Sequence, residues 1–463
     1  MKKRFLSILL ALVLAFALAI PSLAREADQG LEVMSMLSTE QYEGLFEQSN
    51  EPMRQALTSA EGYRAVWQGL LLQYGKYEGA ESKGVQAIGG YTVHQVSARF
   101  ERALIVFGVS FDREEGLAGL QILEVQPVEE AKEDAGQRLL LRPGAPDETE
   151  AFLVMPEGSG PFPVVILIQG SGPNDKDESD YGMAPFRDLA EGFSMRGIAT
   201  LRYDKYTLAH RGLLMSDKAL MASFTMKEEY VNDALAAWEL LSGDERFSGV
   251  FLLGHSQGAY AVPRVAAELP EGALNGMILL AGSPLSLTAL IDRQSRDQLA
   301  GANLTPEQFS AAEAQLNAEQ ERLMIIEQMG EEELKETLFY GSLSGWYLAD
   351  EHAWAPVPLL MGMDLPLLVV QGGKDWQVKP EEGIQLWQKM LVMPGEQAAL
   401  PDGSEDPGKL ITRPETDYLL YPDMTHLLFD LPGPSSGGAA DYLEPYPASE
   451  VLLDDLADWI KVR

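Results

Sequence analysis

Gly254-His255-Ser256-Gln257-Gly258 places a serine between two glycines at the spacing G-x-S-x-G. The apolar run Val250 to Leu253 leads into it and a helix-forming segment follows from Ala259, so the local pattern is strand, sharp turn, helix. Such a turn holds the serine in a strained backbone conformation, and the flanking glycines are needed because a Cβ there would strike neighbouring backbone. Ser256 is therefore the expected nucleophile. With 43 glycines in 463 residues the five-residue spacing alone is weak, and a flexible glycine turn is the alternative; the flanking strand and helix supply the specificity.

A serine hydroxyl needs a base in contact, and histidine titrates near neutrality. The chain has five histidines. His255 adjoins the serine and points elsewhere, His94 falls in an N-terminal segment that reads as a separate domain, and His210 and His352 follow no clear strand. His426 differs: the apolar run Tyr418 to Tyr421 leads into Pro422-Asp423-Met424-Thr425-His426, which puts it on a loop past a strand end. The orienting carboxylate should occupy another post-strand loop. Pro366 to Gln371 is a β-rich run followed by Gly372-Gly373-Lys374-Asp375, so Asp375 is the expected third member. Chain order is serine, acid, histidine, with 119 residues from Ser256 to Asp375 and 51 from there to His426.

The oxyanion of a tetrahedral intermediate needs two backbone N–H donors. Gln257, after the nucleophile, supplies one. For the other, Pro163 to Ile168 reads as a strand buried on both faces and ends in Gln169-Gly170-Ser171-Gly172-Pro173, which makes Ser171 the candidate and Gly170 the next.

Taken together, Gly170-Ser171-Gly172-Pro173-Asn174-Asp175, Pro185-Phe186-Arg187-Asp188-Leu189-Ala190, Leu201-Arg202-Tyr203-Asp204-Lys205 and Gly254-His255-Ser256 resemble the α/β-hydrolase superfamily. Within it they are similar to secreted bacterial esterases related to the serine aminopeptidase-like hydrolases. The resemblance covers about residues 135 to 463 well and 31 to 128 more weakly, and it implies carboxylic-ester hydrolysis with an extra N-terminal domain. Gln169 stands where these relatives usually carry histidine, which bears on the shape of the oxyanion loop more than on the chemistry.

The elements that must position these residues follow from pattern. Lys2-Lys3-Arg4, the apolar run Phe5 to Ile20 and Ser22-Leu23-Ala24 form a signal peptide over residues 1–24, so a secreted or extracytoplasmic protein without stable membrane insertion is expected. Residues 25–128 begin with helical segments, including Val66, Leu70, Tyr74 and Tyr77 on one face. After Gly89-Gly90, Tyr91 to Phe100, Ala103 to Phe111 and Leu117 to Val125 read as three strands, giving a small α+β accessory domain. A charged linker, 129–136, precedes the catalytic domain, 137–463. There, alternating strand and helix patterns predict an α/β fold: a doubly wound, mostly parallel sheet. Residues 284–358 turn helical and polar, with Phe309, Ala312, Leu316, Leu323 and Ile326 along one face, and are expected to form a lid. Its aromatics Phe339, Tyr340, Trp346, Tyr347 and Trp354 either dock the lid or line the acyl pocket, docking being the preferred reading.

The formal charge is −35, and loss of Lys2, Lys3 and Arg4 with the leader makes it −38, which disfavours nucleic acid and anionic membranes as partners. With no cysteine, neither a disulfide nor a lipid-modified cysteine is available. The acidic run from Asp175 to Asp180 fails as a calcium loop, since Asp180 and Phe186 stand where glycine and glutamate are required. No metal and no organic cofactor is expected. The expected partner is a small-molecule ester; an exopeptidase, an acyltransferase and a non-catalytic binding protein on the same scaffold are the competing readings.

Overall fold

The computed structural model describes residues 27–463 apart from 58, 89–90, 115, 128–135, 302–305, 342, 394–410 and 443. The expected signal peptide, and the expected linker up to residue 135, lie outside the described residues. The chain divides into two compact units, Met1–Asp134 and Ala135–Arg463.

In the first unit, helices α1 to α4 (Ala27–Ser38, Tyr42–Gln48, Glu51–Leu57, Glu61–Tyr74) precede strands β1 to β4 (Tyr77–Ile88, Tyr91–Phe100, Ala103–Phe111, Leu117–Pro127). The strands form an antiparallel meander in sequential order. The sequence pattern predicted three strands; the additional one is β1. Helical spacing continues through Tyr77, but Gly75, at φ +80°, stops α4 one residue after Tyr74. Tyr77 then opens β1 and meets Trp67 and Phe100 edge-on, with ring centroids 5.2 and 5.5 Å apart. Alternate β3 residues Ala103, Ile105, Phe107, Val109 and Phe111 are buried in one core with Val33, Leu37, Leu45 and Trp67 of the helices.

The second unit is an eight-stranded sheet in the order β16-β13-β10-β9-β7-β8-β6-β5. Strands β5 (Gln137–Leu141) and β6 (Thr149–Val154) form an antiparallel hairpin at one edge. The rest run parallel: β7 (Phe162–Ile168), β8 (Ala199–Tyr203), β9 (Phe247–His255), β10 (Gly276–Leu280), then, beyond a lid hairpin β11–β12 (Leu338–Phe339, Leu343–Ser344), β13 (Leu367–Gly372) and, beyond a short hairpin β14–β15 (Val392–Met393, Ile411–Thr412), β16 (Thr416–Tyr421).

Both faces of this sheet are covered, which explains why its central strands read as unbroken apolar runs. Val165, Leu167, Phe251, Leu253, Ile278, Leu280, Leu368 and Val370 point to one side. There α5 (Pro185–Met195) and the C-terminal helix cover them with Phe186, Leu189, Phe193, Leu452, Leu456 and Ile460. The interleaved Val164, Ile166, Leu252, Met277, Leu279, Leu367 and Val369 point to the other. On that side lie short helices α6 to α8 (Tyr206–Ala209, Arg211–Ser216, Lys218–Ser223), a π-helical turn Lys227–Val231, α9 (Asn232–Leu241) and α10 (Gln257–Glu268). Each fully buried side chain of this kind contributes about 1.5–3 kcal/mol by leaving water.

Between β10 and β13 the chain leaves the sheet for helices α11 to α15 (Leu287–Gly301, Pro306–Leu323, Glu331–Glu336, Gly345–Ala353, Pro356–Met361). Helices α16 (Ile384–Met390) and α17 (Glu450–Lys461) complete the unit. Phe339 and Tyr347 of the inserted segment are buried in the same core as the sheet, Tyr340 and Trp346 pack against it, and Trp354 lies 4.7 Å from the Arg264 guanidinium of α10. In the stripe expected on α12, Phe309 is instead exposed; the inward face of this segment begins at Ala312 and reaches full burial only at Ile326.

Candidate active site

Ser256, Asp375 and His426 follow the carboxyl ends of β9, β13 and β16, three strands of one parallel run, so all three arrive at the same edge of the sheet. Ser256 has φ 54° and ψ −120°, a conformation that non-glycine residues adopt only under constraint from their surroundings. Its N–H donates to Leu280 O at 2.9 Å. The flanking glycines allow the turn to close: a Cβ on Gly254 would lie 2.7 Å from Ala259 N, and one on Gly258 2.6 Å from Gln169 O. The helix behind the serine is thereby pressed against the end of β7.

His426 Nδ1 lies 2.8 Å from Asp375 Oδ2, both side chains being buried. Asp375 is itself fixed from three sides: Oδ2 also accepts Gln371 Nε2 at 2.8 Å, and Oδ1 accepts the backbone N–H of Gln377 and Val378 at 2.9 and 2.8 Å. The loops that carry Asp375 and His426 are laced together by Gly373 N–H to Tyr421 O at 2.7 Å and Lys374 N–H to Met424 O at 2.9 Å. Among the described contacts, no hydrogen bond joins Ser256 Oγ to His426; such a bond commonly forms only with substrate bound.

The other histidines have separate roles. His94 is buried against Phe111 in the first unit, with ring centroids 5.4 Å apart. His210 lies 2.9 Å from Thr149 Oγ1 and packs on Tyr206, and burial pushes its pKa down. His352 is exposed on α14. His255 Nε2 lies 2.9 Å from the carbonyl oxygen of His426, and its Nδ1 2.9 Å from Glu178 Oε2, an ion-pair contact off the hydrogen-bonding line.

The oxyanion loop after β7 separates the two candidates considered there. The Gly170 N–H is already committed to Glu178 Oε1, at 2.6 Å. The amide of Ser171, and that of Gln257 in the open first turn of α10, make no hydrogen bond among the described residues. Gln169 is buried and its side-chain amide donates to Tyr203 O, so this residue ties the loop to the end of β8. The acidic run that follows is occupied internally: Asp175 Oδ1 accepts the amides of Asp177 and Ser179, and Asp177 pairs with buried Arg202.

A buried polar network that the sequence did not reveal lies behind the loop. Lys205 Nζ meets Glu229 Oε1 at 2.7 Å, Gly170 O at 2.7 Å and Tyr230 Oη at 2.6 Å. Burial lowers the lysine pKa while Glu229 opposes the shift. Tyr230 Oη donates to Gln257 Oε1 at 2.8 Å, Gln257 Nε2 donates to Tyr347 Oη at 3.3 Å, and Tyr347 Oη donates to Glu229 Oε2 at 2.7 Å. Burial, then the Glu229 charge, holds both phenols well above their ordinary value, so they remain neutral donors. The side chain of Gln257 thus connects α10 to the π-helical turn and to helix α14 of the inserted segment. On that helix Glu351 accepts Leu287 N–H at 2.7 Å, and burial raises its pKa to about 7. The signal for this network was available in Lys205, a charge two residues past the fully buried strand β8.

The arrangement offers a constrained serine, an imidazole oriented by a carboxylate and two uncommitted amides, a set suited to acyl transfer. Residues 31–120 match a family described as "Protein of unknown function (DUF3887)". The whole chain is similar to esterase EstD of Thermotoga maritima, 26% identical over 432 residues that cover 92% of each protein. Solved structures with similarity include Est1E from Butyrivibrio proteoclasticus, 16% identical, covering 71% of this chain and 98% of that one with a TM-score of 0.41. Another is a proline iminopeptidase of Mycobacterium smegmatis, 15% identical, covering 70% and 98% with a TM-score of 0.38. These structural likenesses are distant, and the fold assignment rests on the sheet order and the elbow. With β7, β8, β9, β10, β13 and β16 in parallel and a sharp strand–turn–helix elbow at Ser256 after β9, the second unit has the α/β-hydrolase fold, and the chain is similar to esterase EstD over 92% of its length.

Proposed function

We propose that this protein is a serine carboxylesterase that acts through a Ser256–His426–Asp375 triad and a covalent acyl-enzyme. The observation that carries the reading is the conjunction of the left-handed Ser256 backbone with the 2.8 Å Asp375–His426 pair at the same edge of the sheet. In this mechanism His426 removes the Ser256 proton as Oγ attacks the ester carbonyl, and Asp375 stabilises the imidazolium. The amides of Gln257 and Ser171 hold the developing oxyanion. His426 then protonates the departing alcohol, and a water activated by the same imidazole releases the acid. Ester is preferred to amide as the substrate because the curated relative is an esterase; no metal or cofactor enters any step. The apolar segment Phe5 to Ile20 and Ser22-Leu23-Ala24 support export through a cleaved leader, which N-terminal sequencing of the secreted protein tests.

The direct test is labelling by a fluorophosphonate together with turnover of p-nitrophenyl esters and aminoacyl p-nitroanilides. Ser256→Ala is expected to abolish labelling and lower turnover by about five to six orders of magnitude. Activity within about tenfold of wild type in that variant would refute the nucleophile assignment. Faster turnover of the anilides would move the substrate class to peptides.

A further inference from the structure

We propose that Glu178 and His255 form a buried charged brace that positions the oxyanion loop and His426 about Ser256. The proposal rests on the esterase reading above and adds to it two positioning residues that touch neither substrate nor reacting atoms. Glu178 Oε1 accepts the Gly170 N–H at 2.6 Å, its Oε2 stands 2.9 Å from His255 Nδ1, and His255 Nε2 stands 2.9 Å from His426 O. One line of contacts therefore runs from the residue before Ser171, through the residue before Ser256, to the base itself.

The chemistry of the acceptors fixes the protonation of this line. A carbonyl oxygen only accepts, so Nε2 of His255 carries a proton; Nδ1 stands 2.9 Å from a carboxylate oxygen, where a bare lone pair would be repelled, so Nδ1 is protonated as well and the contact is an ion pair. His255 and Glu178 are only 2% and 6% exposed, and neither charge could stand there alone. The His255 and His426 rings lie 4.8 Å apart between centroids, so an uncompensated cation on His255 would oppose the imidazolium that His426 must become during attack. Glu178 cancels that charge while holding the loop.

The groups facing His255 are Glu178, His426 and Asp375. Those facing Glu178 besides His255 are Lys205, Tyr230 and Asp180. Burial works against the charge on His255, but Glu178, with the His426 carbonyl and Asp375, outweighs it and holds the imidazole above its ordinary 6.5. When the Nδ1 proton leaves at alkaline pH, the ion pair with Glu178 is lost while Nε2 keeps its proton on His426 O, and that half of the brace opens.

The experiment measures kcat and KM for a p-nitrophenyl ester from about pH 6 to about pH 10, with fluorophosphonate labelling and melting temperature, in wild type, Glu178→Ala, Glu178→Gln and Ser256→Ala. Glu178→Ala strands the Gly170 N–H and is expected to lower kcat about 30- to 300-fold with KM within about threefold. Glu178→Gln can accept from Gly170 and donate to Nδ1 of a neutral His255, so it is expected to recover kcat to within about tenfold of wild type and to lose the alkaline fall of the wild-type profile. A role confined to stability would lower melting temperature in both variants and leave the pH profile unmoved. The brace is refuted if Glu178→Ala keeps kcat within about threefold, or if Glu178→Gln keeps the wild-type alkaline limb. Should Glu178→Ala fail to fold, the Glu178→Gln profile decides alone. Wild-type behaviour of the Glu178 variants beside an inactive Ser256→Ala overturns the brace only, whereas an active Ser256→Ala overturns the esterase reading with it.

Discussion

Asp375→Asn is a change of one atom whose outcome the hydrogen bonds around the carboxylate determine. Oδ1 accepts two backbone N–H groups, those of Gln377 and Val378, and backbone cannot turn away from them. The asparagine must therefore keep its oxygen there and present its NH2 where Oδ2 stood, toward His426 Nδ1 and Gln371 Nε2. Nδ1 then becomes an acceptor, the remaining ring proton moves to Nε2, and the imidazole can no longer take the Ser256 proton. The opposite rotamer would set the NH2 against two backbone donors, at about 1–3 kcal/mol for each group left unsatisfied. We expect kcat to fall about 10⁴-fold, equivalent to about 5.5 kcal/mol in the barrier, with KM nearly unchanged. The introduced NH2, facing that of Gln371, should also lower stability by about 1–3 kcal/mol. Steady-state ester hydrolysis gives the first quantity and urea unfolding the second. A loss of kcat smaller than about tenfold would mean that Asp375 does not set the tautomer of His426, and the triad assignment would fail at its third member.

Gly258→Ala pushes a methyl group toward Gln169 O at 2.6 Å and should displace the oxyanion loop, lowering kcat more than about 100-fold; turnover near wild type would show that the loop is not built on that contact. Lys205→Met leaves Glu229 buried without its cation and should destabilise the protein by about 3–5 kcal/mol in urea unfolding, whereas a change below about 1 kcal/mol would mean that the pair is dispensable. Glu351 has its folded-state pKa raised from 4.5 to about 7 by burial, so the folded protein binds the extra proton and this group's contribution to stability declines as pH rises from about 4.5 through 7. The decline amounts to about 3 kcal/mol, and Glu351→Gln should remove it; parallel stability–pH curves for the two proteins would refute the assignment.

The residues of the proposed triad stood out because each sits just beyond an apolar run, and the parallel sheet brings those three post-strand loops to one edge. Each of the three could be picked out as a candidate without knowledge of its partners. The links among Lys205, Glu229, Tyr230 and Tyr347 were not legible, although the sequence singles out Lys205 and Tyr347, because each link joins groups from different segments. In sequence Glu229 reads as one more acid of a polar helix start, and only its burial beside Lys205 gives it a role. Glu178 was hidden in the same way, within an acidic run that invites a calcium-loop reading, fails it, and reads only as a loop near the oxyanion region. Tyr77 shows the opposite error: a periodicity persisted past the residue that ends the helix, and Gly75, the stop signal, was outvoted by spacing. On α12, amphipathic spacing was right about the face and wrong about its length, since Phe309 lies beyond the reach of the core.

The inserted segment between β10 and β13 gives this architecture a particular freedom. Met277 pairs with Leu367 and Leu280 with Val370 in uninterrupted register, although helices α11 to α15 intervene. Doubling the length of such an excursion costs only about 0.6 kcal/mol in closure entropy. The length of the insertion is thus weakly constrained, while the strands beneath keep the loops of Ser256 and Asp375 in place. Its contacts with the body are stricter: Phe339 is buried in the sheet core, Asp350 pairs with Arg264, and Tyr347 meets Gln257 and Glu229, so a replacement segment that omits a neutral donor at Tyr347 would loosen the residue that follows Ser256.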